Sequence, residues 1–146
     1  MANISSYPTA TPASGDLILG TQLSATSVNK TRNFTAGSVT SAGLGYTSYV
    51  ALLTQTGTAA PVATVLSNNL TATLTWARTG TGIYTLTASA ATFTANKTIV
   101  FFNHGSGSPS VPLLQWTRTS DTVLTITTTS TNGLLTNGSF EVRIYA

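Results

Sequence analysis

From Tyr46 to the end of the chain, short stretches of alternating apolar and polar residues follow one another. In the segment 71–78, Ala72, Leu74 and Trp76 alternate with threonines. Because neighbouring side chains of a strand point to opposite faces, this pattern predicts a strand with one apolar face and one hydroxyl-bearing face. Further strands are predicted at 49–55, 62–66, 83–88, around 114–116, around 124–126 and at 140–145. The segment 99–102, Ile-Val-Phe-Phe, is apolar throughout and predicts a buried central strand.

Turn-forming residues separate these segments, as in Asn132-Gly133 and Asn137-Gly138. No window of ten or more residues has clean helical periodicity. Seven or eight short strands at this spacing predict an all-β fold, an antiparallel β-sandwich or jelly-roll-like domain over residues 46–146.

An internal repeat lies within this domain. Residues 74–87 (LTWARTGTGIYTLT) and 114–127 (LQWTRTSDTVLTIT) are identical at six of fourteen positions. The repeat predicts one hairpin used twice, each copy with a tryptophan and an arginine two residues apart on one strand face. A core tryptophan followed by an arginine at the solvated turn is favoured over an arginine stacked on the indole.

Residues 1–45 differ from the rest and predict an extended N-terminal arm. They are rich in Gly and Pro, and contain two short apolar patches, at 16–21 and 31–35, which together could form a small hairpin. Such a hairpin is marginal alone, so an arm that docks on another surface is favoured over a floppy terminus. The candidate attachment residues are the apolar Leu17, Ile18, Leu19 and Phe34 and the cations Lys30 and Arg32, which could meet acidic groups on a partner.

The composition favours packing against other copies of the chain. Thr and Ser make up 47 of the 146 residues, and only six cations and three anions are present. Burying a threonine face costs far less than burying Lys or Glu, so the low charge predicts a homo-oligomer. The cations are spread along the chain and predict no nucleic-acid interface. No apolar stretch is long enough to span a membrane, and no secretory signal is expected at the N-terminus.

Few residues could carry catalysis. The carboxylates are those of Asp16, Asp121 and Glu141, the one histidine is His104, and there is no cysteine. His104 begins a Gly/Ser/Pro loop without the nucleophile-elbow pattern of a hydrolase, and one histidine without cysteine is a poor metal site. The sequence therefore predicts a protein that is not an enzyme and has no metal or cofactor, although an enzymatic alternative would depend on His104.

A carbohydrate-binding adhesin is the alternative function. Aromatic rings stack on sugars, and the candidate contacts with a host-surface glycan are Trp76, Trp116 and Tyr49. Both tryptophans alternate with outward threonines, which predicts that they lie inside the domain.

Several motifs resemble known phage proteins. The segments 14–21 (SGDLILGT) and 29–39 (NKTRNFTAGSV) resemble the N-terminal segment of small structural and fibre proteins of tailed bacteriophages. The segments 49–66 (YVALLTQTGTAAPVATVL), 76–84 (WARTGTGIY) and 138–145 (GSFEVRIY) resemble proteins of crAss-like and other phages of Bacteroidetes-type hosts.

The resemblance implies a virion component, such as a head fibre, a capsid decoration protein or a tail fibre. It also implies a trimer that is made in the cytoplasm of the bacterial host and attached through its arm to capsid or tail subunits.

Overall fold

The chain divides into two compact units, Met1–Gly45 and Tyr46–Ala146. The computed structural model describes residues 11, 13–22, 30–103, 113–128 and 132–146.

The N-terminal unit contains a hairpin and one short helix. Strands β1 (Leu17–Gln22) and β2 (Lys30–Thr35) pair antiparallel, and helix α1 (Ala36–Leu44) follows directly. The Thr35 hydroxyl caps the helix by accepting a 3.1 Å hydrogen bond from the Ser38 amide, and Gly45 ends it in the left-handed conformation. The sequence did not predict α1, because its small and polar residues form no apolar stripe.

The second unit is an antiparallel sandwich, and the predicted all-β fold is confirmed. Its first sheet has the strand order β4-β3-β10-β7 and its second sheet the order β5-β6-β9-β8. The strands are β3 (Tyr46–Thr54), β4 (Val62–Asn68), β5 (Leu74–Gly80), β6 (Ile83–Ala88), β7 (Thr98–Asn103), β8 (Leu114–Arg118), β9 (Val123–Thr128) and β10 (Gly138–Tyr145).

Alternate side chains of both sheets form one shared core. The Trp76 ring of the second sheet packs edge to face with the Phe140 ring of the first, with ring centroids 4.9 Å apart and planes at 85°. The other large, fully buried side chains are Tyr49, Leu53, Tyr84, Leu86, Phe93, Leu124, Ile126, Leu135 and Val142. The predicted apolar faces of β5, β6 and β9 are therefore the faces that the sandwich encloses.

The internal repeat gives the second sheet a local two-fold symmetry. Its two copies form the hairpins β5–β6 and β8–β9, as predicted, and their registers are equivalent: Trp76 pairs with Leu86 and Trp116 with Ile126. The hairpins meet where β6 pairs with β9, at the equivalent threonines Thr85 and Thr125. The local axis therefore passes between these two threonines, and Trp76 and Trp116 lie on opposite edge strands.

Strand β7 is an edge strand, so the prediction of a buried central strand at 99–102 is wrong. Among the described strands it pairs only with β10, and its outward side chains, Ile99 and Phe101, are 41% and 49% exposed. A continuous apolar run indicates two apolar faces, but it does not indicate that both are covered. Here Val100 enters the core and the opposite face remains open.

Two core substitutions are expected to differ in their effect on stability. Leu124 is fully buried, and Leu124→Ala should lower the free energy of unfolding by about 2–5 kcal/mol. Tyr84 Oη is buried and has no hydrogen-bond partner in the described structure, so Tyr84→Phe removes an unpaired polar group and should leave stability unchanged or raise it. Urea unfolding measures both. A loss of more than about 1 kcal/mol in Tyr84→Phe would contradict this view of the core.

Candidate functional site

The β1–β2 hairpin brings the apolar attachment candidates together but divides them between two faces. Leu17 and Leu19 alternate on one face and are 66% and 72% exposed. Ile18 lies on the other face, where it pairs with Phe34. The sequence patch indicated an apolar stretch, and only the register shows which side chains act together.

The opposite hairpin face is partly closed by Phe34. A Cβ atom at Gly20 would lie 3.2 Å from the Phe34 ring, so glycine allows the ring to lie close against β1. Arg32, opposite Gly20, is exposed, and Lys30 occupies the next alternate position of β2. The two cationic positions therefore lie on the same hairpin face as Phe34. The exposed Leu17 and Leu19 lie on the other face, which has no charged residue.

Two of the three glycan candidates are enclosed by the sandwich. Trp76 is 8% exposed and Tyr49 is 2% exposed, so neither ring presents a face to a sugar. Burial also raises the pKa of the Tyr49 phenol above its usual value, although the neighbouring Trp76 opposes this effect. Trp116 is half-buried and borders a cavity. Of the predicted contacts, Trp116 alone has an accessible position.

Both repeat arginines are tied to loops outside their own hairpin strands. Arg78 Nε donates a 2.9 Å hydrogen bond to Asn132 Oδ1, and Arg118 Nε donates a 2.5 Å hydrogen bond to the Phe93 carbonyl. Each of these two equivalent arginines therefore joins a loop from outside its own hairpin to the second sheet.

Each side-chain carboxylate of the chain has a local partner or is exposed to solvent. Asp16 Oδ2 accepts a 2.7 Å hydrogen bond from the Ala13 amide, Asp121 is exposed in a turn, and Glu141 pairs with Arg143 at 2.5 Å. Within the described ranges, no three His, Asp or Glu side chains are grouped to hold a metal ion. His104 and the serines that follow it lie outside the described residues. The prediction that the chain is not an enzyme stays a prediction.

The outward side of the first sheet carries an apolar surface that the sequence analysis missed. We call this surface the outer apolar face. It consists of the exposed Leu52, Val62, Ile99 and Phe101 with the half-buried Val50. These residues lie on β3, β4 and β7, so only the sheet pairing shows that they share one side. The available signal was the lack of polar alternation at 49–53 and 99–102.

One ion pair lies within the outer apolar face. Glu141 on β10 pairs across the sheet with Val50 and Phe101, and it binds Arg143 two residues further on. The Arg143 guanidinium lies 4.9 Å from the Phe101 ring centroid and 4.8 Å from that of Tyr46. Hydrogen bonding to Glu141 raises the pKa of this guanidinium further above its ordinary value. The face thus carries two charges that neutralise each other.

Comparison with protein-family models, with curated proteins and with solved structures finds no match to the chain. A search of the helices in the described residues for one long and apolar enough to cross a membrane finds none.

Proposed function

We propose that the chain is a non-enzymatic structural component of a bacteriophage virion. Its sandwich associates with other copies of the chain, and its N-terminal unit attaches the assembly to capsid or tail subunits. The observation that supports this proposal best is that seven of the fourteen exposed large hydrophobic side chains in the described residues lie on these two surfaces, four on the outer apolar face and three on the β1–β2 hairpin. The phage-like segments of the sequence support the virion as the setting.

The two outer faces of the sandwich differ, and the difference favours the first sheet as the contact between copies. A row of paired residues on the second sheet, Thr117, Thr125 and Thr85, presents hydroxyl groups to solvent. The first sheet presents Leu52, Ile99 and Phe101 instead. Burial of apolar surface contributes about 25 cal/mol per Å², so association through the first sheet has the larger driving force.

The charge of the outer apolar face is compatible with burial. Glu141 and Arg143 are already paired at 2.5 Å, so neither charge is left without a partner when a second copy covers the face. No other charged residue belongs to the four strands of the first sheet. A neutral, mostly apolar surface of this kind suits a permanent contact between identical subunits. We propose a trimer, the stoichiometry that the resemblance implies.

The N-terminal unit suits attachment because it buries little of its own apolar surface. None of the buried hydrophobic residues of the described structure lies before Tyr46. Leu17 and Leu19 stand exposed on the uncharged face of the hairpin. A short hairpin with apolar side chains and free edges can add to the sheet of a partner, where backbone hydrogen bonds give affinity and alternate side chains give register.

Self-association is tested by placing a charge on each outer face. The unmodified chain should have a mass about three times the 15.0 kDa of one chain in light scattering at micromolar concentration. Leu52→Lys should weaken assembly at least about tenfold, because the ammonium group would be buried between copies. Ile83→Lys changes a similarly exposed residue on the second sheet and should leave the mass unchanged. A monomeric unmodified chain, or equal effects of the two substitutions, would contradict the proposed contact.

Attachment is tested in the phage that encodes the chain. The double substitution Leu17→Ser and Leu19→Ser should reduce the amount of the chain in purified particles at least about tenfold, because it removes the two most exposed apolar side chains of the hairpin. Quantitative mass spectrometry of the particles measures this amount, and Ile83→Ser serves as the matched control. Normal incorporation of the doubly substituted chain would show that attachment does not depend on this face.

A further inference from the structure

We propose that the cavity beside Trp116 binds a saccharide unit. The cavity has a volume of about 420 Å³, within the range of roughly 300–1,000 Å³ that is typical of small-ligand pockets. It lies between the last residues of β8 and the segment 94–98 that leads into β7. Its lining consists of Thr94, Ala95, Asn96, Thr98, Trp116, Thr117 and Arg118.

The repeat shows what is special about Trp116. Its equivalent, Trp76, packs edge to face with Phe140 and is 8% exposed. Trp116 occupies the same register position on the opposite edge strand, yet it is half-buried and borders the cavity. One copy of the repeated tryptophan is therefore enclosed in the core, whereas the other packs against the core and leaves part of its side chain at the cavity.

The walls of the cavity are held in place before any ligand arrives. The amides of Thr92 and Phe93 both donate 2.8 Å hydrogen bonds to the Asp121 carbonyl, and Arg118 Nε donates to the Phe93 carbonyl. The Phe93 side chain is fully buried, which anchors the segment that forms one wall. Because these contacts already order the wall residues, the protein loses little conformational freedom when a ligand binds, and this favours affinity.

The local backbone also fixes the rim. Thr98 Oγ1 donates a 2.8 Å hydrogen bond to the Thr94 carbonyl, which closes the turn between them. Asn96, within this turn, has a φ of 61°, a left-handed conformation that few residues other than glycine and asparagine adopt readily. Asn96 therefore combines the required backbone conformation with an amide group that both donates and accepts hydrogen bonds.

The chemistry of the lining fits a sugar. An aromatic ring packs against the C–H face of a pyranose, while hydroxyl, amide and guanidinium groups bind its hydroxyl groups. Beside Trp116, five of the lining residues carry such polar groups, and none carries a carboxylate. Arg118 supplies a single positive charge, whereas proteins that bind nucleic acid combine several cations along the phosphates. The ligand class is therefore a neutral or carboxylated saccharide.

Nuclear magnetic resonance tests this proposal on the full chain, because its two tryptophans give two indole N–H signals. The probes are maltotriose, N,N′-diacetylchitobiose, digalacturonic acid and adenosine monophosphate, each added to on the order of 20 mM, since a single-sugar site can have a millimolar Kd. Trp116→Phe assigns the signals. At least one saccharide should shift the Trp116 signal in a saturable manner and leave the Trp76 signal in place.

Two matched substitutions connect the response to the cavity. Asn96→Gly keeps the left-handed backbone and removes the amide, and it should weaken binding about fivefold to tenfold. Asn137→Gly changes a second asparagine with a positive φ, 57°, which does not line the cavity, and it should leave binding unchanged.

Any one of three outcomes would overturn the proposal. The Trp116 signal could fail to respond to every saccharide, or it could respond to adenosine monophosphate alone. The third is that Asn96→Gly binds the saccharide as tightly as the unmodified chain does.

Discussion

The edge-to-face contact of Trp76 with Phe140 joins the two sheets, and the rest of the sandwich depends on the apolar layer around it. Each strand of the second sheet contributes to that layer through alternate residues, and most of the remaining positions of the sheet carry threonine. A shift of one residue in the pairing of β6 and β9 would turn one strand over relative to the other, and would replace either Leu86 by threonine or Leu124 by threonine or valine on the inward face. The strict alternation therefore specifies the register as well as the fold.

Because the chain has few charged residues, the outward positions of the two sheets determine the chemical character of its surface. On the second sheet most of these positions are threonines, although Ile83 and Val123 are among them, and Thr85 and Thr125 lie at the local two-fold axis. On the first sheet the outer apolar face lies beside Thr64 and Ser139, and Glu141 and Arg143 form a neutral pair within it. The two sheets thus share one core but differ in what they offer to other molecules. This asymmetry connects the fold to the proposed assembly, in which copies of the chain cover the first sheet and leave the threonine surface open.

The local sequence pattern was sufficient to predict a strand and its buried side where one face of the strand is apolar and the other is not. The segment 83–88 was predicted as a strand and forms β6 with the same limits, and Trp76 was predicted inside and is buried. Pattern failed at β7, because an apolar run does not distinguish a central strand from an edge strand. Nor could it locate the cavity beside Trp116, whose walls, at Asn96 and Thr117, are distant in sequence and meet only through the fold. The division of Leu19 and Phe34 between hairpin faces likewise required the register of β1 and β2.

The proposed assembly connects the outer apolar face, the hairpin and the low charge, and a single image of the particle tests all three together. If the chain has the proposed role, electron cryo-microscopy of the phage particles that carry it should reveal symmetric groups of three sandwiches. In each group the outer apolar face, including Leu52 and Phe101, should be covered by a neighbouring copy, and the β1–β2 hairpin should contact a capsid or tail subunit. Particles without the chain, or single sandwiches with the outer apolar face open to solvent, would contradict the account.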